Sequence, residues 1–255
     1  MSNYEAIAKF YDRLSDEGDY KKLCKYIDSL LKKHSFKGNR LLDVACGTGT
    51  LTHLLSSMGY DMIGTDESED MLFEANRKYG SEDILFINQS AQELDLYGEV
   101  DGAVCTFDSI NHITDKDGLV KAFSKISLFT VHGGLFIFDV NTVYKHRKIL
   151  GNNSFVLQDD GVFCAWQNEY EEKTHTVNME LDFFCKNGNA YTRTTQLISE
   201  RAYTKSELCA LLKKGNFEAL AFYDNLSFEE PNGKSERIFC VAKNLGGQMP
   251  TNEKM

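Results

Sequence analysis

Between Arg40 and Val140, short apolar runs alternate with amphipathic stretches, the pattern of a parallel sheet whose strands are joined by crossover helices. The runs Leu41 to Ala45, Met62 to Thr65, Ile84 to Ile87, Ala103 to Phe107 and Leu135 to Val140 read as five buried strands. Between them, Ser68 to Tyr79 and Lys116 to Thr130 carry apolar residues at helical spacing, as in Leu119, Val120, Phe123 and Ile126, and Gly133-Gly134 is expected to stop the second helix. Ahead of the first strand, Tyr20 to Lys33 places Leu23, Tyr26, Ile27, Leu30 and Leu31 on one helical face, which predicts a helix packed on the sheet.

After Val140 the period changes from helical to alternating. Phe155 to Tyr203 is rich in Thr, Val and aromatic residues and is broken by turn signals at Asp159-Asp160-Gly161 and Lys186-Asn187-Gly188-Asn189, which predicts an antiparallel insertion of three or four strands. Thr204-Lys205-Ser206-Glu207 is a capping box opening a helix to about Lys214. Phe217 to Tyr223 and Arg237 to Ala242 then read as two closing strands, with Pro231-Asn232-Gly233 in the loop between them. The fold class expected is α/β, a Rossmann-like doubly wound sheet of seven strands with an antiparallel β-rich insertion after the fifth. The chain divides accordingly into a helical cap over 1–38, a nucleoside-binding domain over 39–142 and 204–243, an insertion over 143–203 on the acceptor side, and a disordered tail over 244–255.

Composition narrows the function classes. At 255 residues with 42% hydrophobic side chains the chain can bury a substantial core without cross-links. Asp+Glu 38 against Lys+Arg 28 gives a formal charge of -10, which disfavours a surface built to neutralise phosphates. The seven cysteines stand singly, without a C-x-x-C pair or a zinc-like Cys/His spacing, and read as free thiols of a reducing compartment. No signal peptide or membrane span is visible, so a cytoplasmic protein is expected, with no membrane partner.

The strongest chemical signal is Leu41-Leu42-Asp43-Val44-Ala45-Cys46-Gly47-Thr48-Gly49, a buried strand running into a glycine turn where doubly wound sheets bind nucleosides. Such turns also serve simply to pack a helix on a strand. Asp66 ends the second run 19 residues after Gly47, close to the offset at which an acid accepts both hydroxyls of a ribose; a helix N-cap is its alternative role. Glu67-Ser68-Glu69-Asp70-Met71-Leu72 follows as an acidic helix start, and Met71 is placed either against a base or in the core. A dinucleotide site would favour a third glycine where this chain has Thr52, and its pyrophosphate would be repelled by Asp43. A carboxylate at Asp43 suits a cationic group instead, such as the ammonium of an amino acid, so S-adenosylmethionine (SAM) fits better than NAD.

Asp43-x-Ala45-Cys46-Gly47-Thr48-Gly49, then Asp66-x-Ser68-x-x-Met71-Leu72, then Asp101 through His112 resemble the motif series of class I SAM-dependent methyltransferases. Phe10-Tyr11-Asp12, the Phe107 to His112 segment and the β-rich insertion are similar to bacterial small-molecule methyltransferases, including sugar N,N-dimethyltransferases. The resemblance implies that Gly47 and Gly49 line the methionine part of SAM, with Ala45 in the same turn. It further implies that Asp66 holds the ribose, that Ser90 and Ala91 flank the adenine, and that the Thr106 and Phe107 backbone lies beside the amino-acid moiety. Many relatives carry an acid where this chain has Ser90. The product would be S-adenosylhomocysteine (SAH), and no metal is implied.

Methyl transfer needs a nucleophile held in line with an already activated methyl group, and a base only where the acceptor must lose a proton. His112 is the candidate base, and in the resembled sugar methyltransferases a histidine stands at the matching place; a helix cap or a loop hydrogen bond is its alternative. Asp108 and Asn111 either orient the acceptor or shape the turn. Tyr11, with Phe10, is placed as a lid over the cofactor or as ordinary helix packing. Within the insertion, Trp166 and Arg193 are the candidate acceptor contacts. The expected function is methyl transfer to N or O of a small-molecule acceptor by a monomer or homodimer. The alternatives are a tRNA or other nucleic-acid methyltransferase, an NAD-dependent oxidoreductase, and a non-catalytic module that binds SAM or SAH.

Overall fold

The computed structural model describes residues 17–159 and 161–246. Strands β1 (Arg40–Val44), β2 (Asp61–Asp66), β3 (Leu85–Asn88), β4 (Val100–Cys105) and β5 (Thr130–Asn141) are parallel, and with β10 (Phe217–Asp224) and β11 (Arg237–Asn244) they form a seven-stranded sheet in the order β10-β11-β5-β4-β1-β2-β3. Only β11 runs against its neighbours, β5 and β10. The chain moves outward from β1 through β2 to β3, then returns to lay β4 on the other side of β1. That reversal opens a crevice at the carboxyl ends of β1 and β4, where open α/β sheets bind ligands.

Both faces of the sheet are covered, which is why its strands read as continuous apolar runs rather than alternating ones. Phe136, Phe138 and Val140 of β5 pack with Phe123 and Ile126 of α4 (Lys116–Leu128) and with Leu208, Leu211 and Leu212 of α5 (Lys205–Lys214). Leu135 and Ile137 face the other way, into a cluster with Leu23, Ile27, Leu30 and Leu31 of α1 (Glu17–Lys33) and with Leu51 and Leu55 of α2 (Thr50–Ser57). The capping box is present: Glu207 N–H donates to Thr204 Oγ1 at 3.2 Å and Thr204 N–H to Glu207 Oε2 at 3.0 Å.

Three boundaries differ notably from the sequence reading. Gly133-Gly134 does not end a helix: α4 stops at Leu128 and the glycines lie inside β5, where the pairing slips from Val100↔Thr130 to Gly102↔Leu135. A Cβ on Gly134 would stand 2.5 Å from the Asp101 carbonyl, so the pair accommodates a bulge. The fourth strand ends at Cys105, because Phe107 and Asp108 turn the backbone into the left-handed region. At the other end of the chain, β11 runs through Asn244, one residue into the stretch assigned to the tail.

The insertion is a second, four-stranded antiparallel sheet, β6 (Ser154–Asp159), β7 (Val162–Glu171), β8 (Thr176–Asn187) and β9 (Ala190–Arg201). Its buried face joins Cys164, Val177, Met179, Leu181, Phe183 and Cys185 to Leu150, which ends a π-helical stretch over Lys145–Leu150. All seven cysteines are free thiols, six of them buried. Among the described residues no helix is long and apolar enough to cross a membrane.

Candidate active site

A cavity of ≈ 910 Å³ lies over the crevice. That is at the upper end of the size of small-molecule sites, which run to about 1,000 Å³. One side is built by the β1 and β2 loops: Asp43, Ala45, Gly47, Asp66 and Met71. Ser90 and Ala91 close that side, and Thr106 and Phe107 cross its middle. The other side is formed by His112, Ile113 and Thr114 after β4 and by Gln196, Leu197 and Ile198 of β9.

The turn after β1 is held open by its backbone. Ala45 and Gly47 both have positive φ, and Cys46 N–H is tied to the Thr65 carbonyl at 2.9 Å. A Cβ at Gly47 would meet nothing within 4 Å, so this glycine leaves the cavity wall flat. Gly49 has another use. It does not line the cavity, and a Cβ there would collide with Phe86 at 2.8 Å, so its task is to seat α2 against the sheet.

Asp66 is the hub of the β1 and β2 loops. Gly47 N–H donates to its Oδ2 and Ser68 N–H to its Oδ1, each at 2.8 Å. The N-cap of α3 (Glu69–Tyr79) is Ser68, whose hydroxyl accepts from Met71 N–H at 3.3 Å, so Asp66 is not used as a cap. Each carboxylate oxygen keeps a further lone pair. Burial raises the Asp66 carboxyl above its ordinary range, and the two amides work against that rise. Asp43 is fully enclosed and accepts from Thr52 Oγ1 at 2.6 Å. Burial pushes its carboxyl up to about 7, opposed by the Thr52 hydrogen bond and reinforced by the charge of Asp66. A cationic group entering beside Asp43 would restore its ionised form.

Across the cavity, the 3₁₀ turn Ser109–His112 presents His112 with its side chain 45% exposed. Its Nε2 stands 3.8 Å from Oε1 of Glu200, which is buried at the end of β9. Glu200 Oε2 is hydrogen-bonded by Asn141 Nδ2 and lies against His146 Nε2, each at 3.1 Å. Asp108 does not line the cavity: its carboxylate is paired with Arg237, which also pairs with Asp139. Burial works against the charge on Asp108, yet Arg237 and Lys145 hold its carboxyl below the usual range. Asn111 is fully buried and committed to backbone, donating to the carbonyls of Asn141 (3.1 Å) and Arg201 (2.8 Å) and accepting from Asn141 N–H (2.9 Å). The Asp108 carboxylate is thus held in an ion pair with Arg237 of β11, and the Asn111 amide ties the turn to β5 and β9.

Neither candidate of the insertion lines the cavity. Trp166 packs on Phe155 with ring centroids 5.1 Å apart and donates to Asn168 Oδ1 at 2.6 Å. Arg193 lies on the opposite face of that sheet, bidentate to Asp182 at 2.8 and 2.6 Å. Tyr11 lies outside the described residues. Unforeseen were Tyr20, which lines the cavity with its ring 4.9 Å from that of Phe107, and the Glu200, His146 and Arg237 network. The helical face containing Tyr20 was legible, but nothing local marks Glu200 or Arg237, whose partners arrive through long-range pairing.

Among the described residues, Asp108, His112 and Glu200 bring one potential metal ligand atom each within 4.8 Å of one another. Arg237 on Asp108 and His146 on Glu200 already occupy that negative charge.

Comparison with known proteins identifies the family. A methyltransferase domain model matches residues 41–134, the segment from β1 to the bulge of β5. YqeM of Bacillus subtilis (strain 168), a methyltransferase by name, is 30% identical over 242 residues, covering 94% of this chain and 96% of its own. A crystal structure of a SAM-dependent methyltransferase from Clostridium acetobutylicum ATCC 824 superposes with a TM-score of 0.85 at 34% identity, over 96% of this chain and 99% of that one. The dTDP-3-amino-3,6-dideoxy-alpha-D-glucopyranose N,N-dimethyltransferase of Streptomyces fradiae is 32% identical over 135 residues, 51% of each chain. The order of the seven strands, the open glycine turn under Asp66 and these full-length matches make the chain a member of the class I SAM-dependent methyltransferases.

Proposed function

We propose that the protein methylates a nitrogen or oxygen of a small molecule that enters between the segment after β4 and strand β9. The observation that carries this reading is the continuity of the cavity: Asp43, Gly47 and Asp66 line one end and His112, Thr114 and Leu197 the other, so donor and acceptor share one space. When bound, SAM supplies a methyl group already activated on a sulfonium. Asp66 would accept from the ribose hydroxyls with its remaining lone pairs, Asp43 would face the ammonium, and Met71, Ser90 and Ala91 would enclose the adenine. The Thr106 and Phe107 backbone would run beside the amino-acid moiety, with Tyr11 as a lid. The flat wall at Gly47 and the unused lone pairs of Asp66 fit such a ligand.

The chain's own contribution to the chemistry is to align the acceptor and exclude water. His112, at the cavity wall, takes a proton from an ammonium or hydroxyl acceptor. The Streptomyces fradiae relative is named for an amino sugar nucleotide, which favours an amine acceptor. The formal charge of -10 weighs against nucleic acid.

The test is methyl transfer from isotopically labelled SAM to a panel of amino sugar nucleotides, amino acids and hydroxylated aromatics, with bulk tRNA alongside. Label on a small amine or hydroxyl is expected, and label on tRNA alone would overturn the proposal. With an acceptor in hand, His112→Ala is expected to leave SAH affinity intact while turnover falls; turnover unchanged at every pH would remove His112 as a base.

A further inference from the structure

Behind His112, which lines the cavity, lies a carboxylate without an obvious task. Glu200 is 5% exposed and sits at the end of β9, 54 residues from His146. A buried carboxylate is costly unless its partners are well placed. One oxygen, Oε2, is satisfied by Asn141 Nδ2 and His146 Nε2. The other, Oε1, is turned toward His112 Nε2 at 3.8 Å.

The far side of the pair fixes its protons. His146 is completely buried, and its Nδ1 lies 3.3 Å from the His175 carbonyl, which can only accept. Nδ1 is therefore the donor to that carbonyl, and Nε2 is the ring nitrogen turned to Glu200. His146 and Asn141 thus hold Oε2 from behind and leave Oε1 as an acceptor facing His112. The charged groups around the pair are Lys145, whose Nζ donates to Asn141 Oδ1 at 2.8 Å, and, beyond it, Asp108, Asp139, Glu236 and Arg237. Asp108 also comes within 4.8 Å of the His112 ring, but its carboxylate is paired with Arg237, and the oxygen that stands 3.8 Å from Nε2 is Glu200 Oε1.

We infer that Glu200 is a positioning residue for His112. It holds the tautomer with Nε2–H toward Glu200 Oε1 and leaves the Nδ1 lone pair for the acceptor. A contraction of about 1 Å closes the hydrogen bond, of the kind that accompanies formation of a reactive complex. In the step so arranged, the acceptor nitrogen or oxygen forms its bond to the methyl carbon as the carbon–sulfur bond of SAM breaks and its electron pair returns to sulfur. The acceptor's proton passes to His112 Nδ1, and the resulting imidazolium is balanced by Glu200. Asn141 and His146 keep the carboxylate in place. The inference rests on the methyl-transfer reading above for its chemistry, but its geometry is measurable without an acceptor.

The experiment is ¹⁵N imidazole spectroscopy of the full chain, labelled at histidine and saturated with SAH, with His112 assigned by comparison with His112→Asn. Wild type is expected to show neutral His112 protonated at Nε2. Glu200→Leu, which removes the acceptor, is expected to let both tautomers interchange, and Glu200→Gln, which keeps a carbonyl there, to retain the single one. In methyl transfer to the acceptor found by the panel, Glu200→Leu is expected to lower kcat at least tenfold with little change in KM, and Glu200→Gln to lie between. A wild-type His112 protonated at Nδ1 would overturn the inference without recourse to any variant, as would an unchanged tautomer in Glu200→Leu. Failure to bind SAH, or transfer to no small molecule, would instead defeat the methyl-transfer reading and leave the tautomer result standing.

Discussion

Asp66 shows how much one side chain organises at this site. It fixes the glycine turn through Gly47 N–H, fixes the start of the next helix through Ser68 N–H, and still has lone pairs for a ligand. Asp66→Ala is expected to weaken SAH binding by about 1–3 kcal/mol, the range for stranding a buried donor; unchanged affinity in calorimetry would remove it from the ribose role. Asp43 makes a different prediction. Its folded carboxyl titrates at about 7, whereas in the unfolded chain it titrates near about 3.9. Between those values the folded state binds more protons, so this group costs stability as pH rises from about 4 to about 7. Asp43→Asn in the ligand-free protein should therefore gain on wild type by roughly 2–3 kcal/mol between pH 5 and pH 8. A stability difference from denaturant titration that stays constant over that range would contradict the enclosed carboxyl. Spacing alone picked out Asp66 and Asp43. It did not reveal that Thr52, read only as a missing glycine, supplies the hydroxyl that Asp43 accepts.

The elements were legible where burial is two-sided or a cap is local, and less so where a distant strand decides. The runs at Leu41, Met62, Ala103 and Leu135 predicted strands because nearly all of their residues are buried from one face or the other. Gly133-Gly134 misled because the signal of a helix stop is also that of a bulge, and only the register of β4 against β5 distinguishes them. Asn111 belongs to the same class. Its partners lie 30 and 90 residues away and join the turn after β4 to the ends of β5 and β9. Asn111→Ala removes its hydrogen bonds to three backbone groups, two of them on buried Asn141, and should cost about 2–4 kcal/mol. The corresponding fall in Tm for a chain of this size is roughly 5–15 °C. A Tm within about 2 °C of wild type would show that the clamp does not hold the insertion to the sheet.

For the molecule as a whole, the parallel sheet, its switch point and the gathering of Asp43, Gly47 and Asp66 around the β1 and β2 loops were readable from sequence, because each depends on residues close together along the chain. The other end of the cavity was not. It is assembled from the turn after β4 and from β9 of the insertion, and alternation along β9 does not say which face meets the cavity. That is why Trp166 and Arg193 were singled out while Glu200 was not. The central claim is that the crevice over β1 and β4 holds the methyl donor through Asp43, Gly47 and Asp66. It is tested most directly by calorimetric titration of the purified protein with SAH, with NAD in parallel. Binding of SAH at micromolar concentration or below, with none of NAD, is the predicted result. Binding of NAD alone, or of neither, would contradict it.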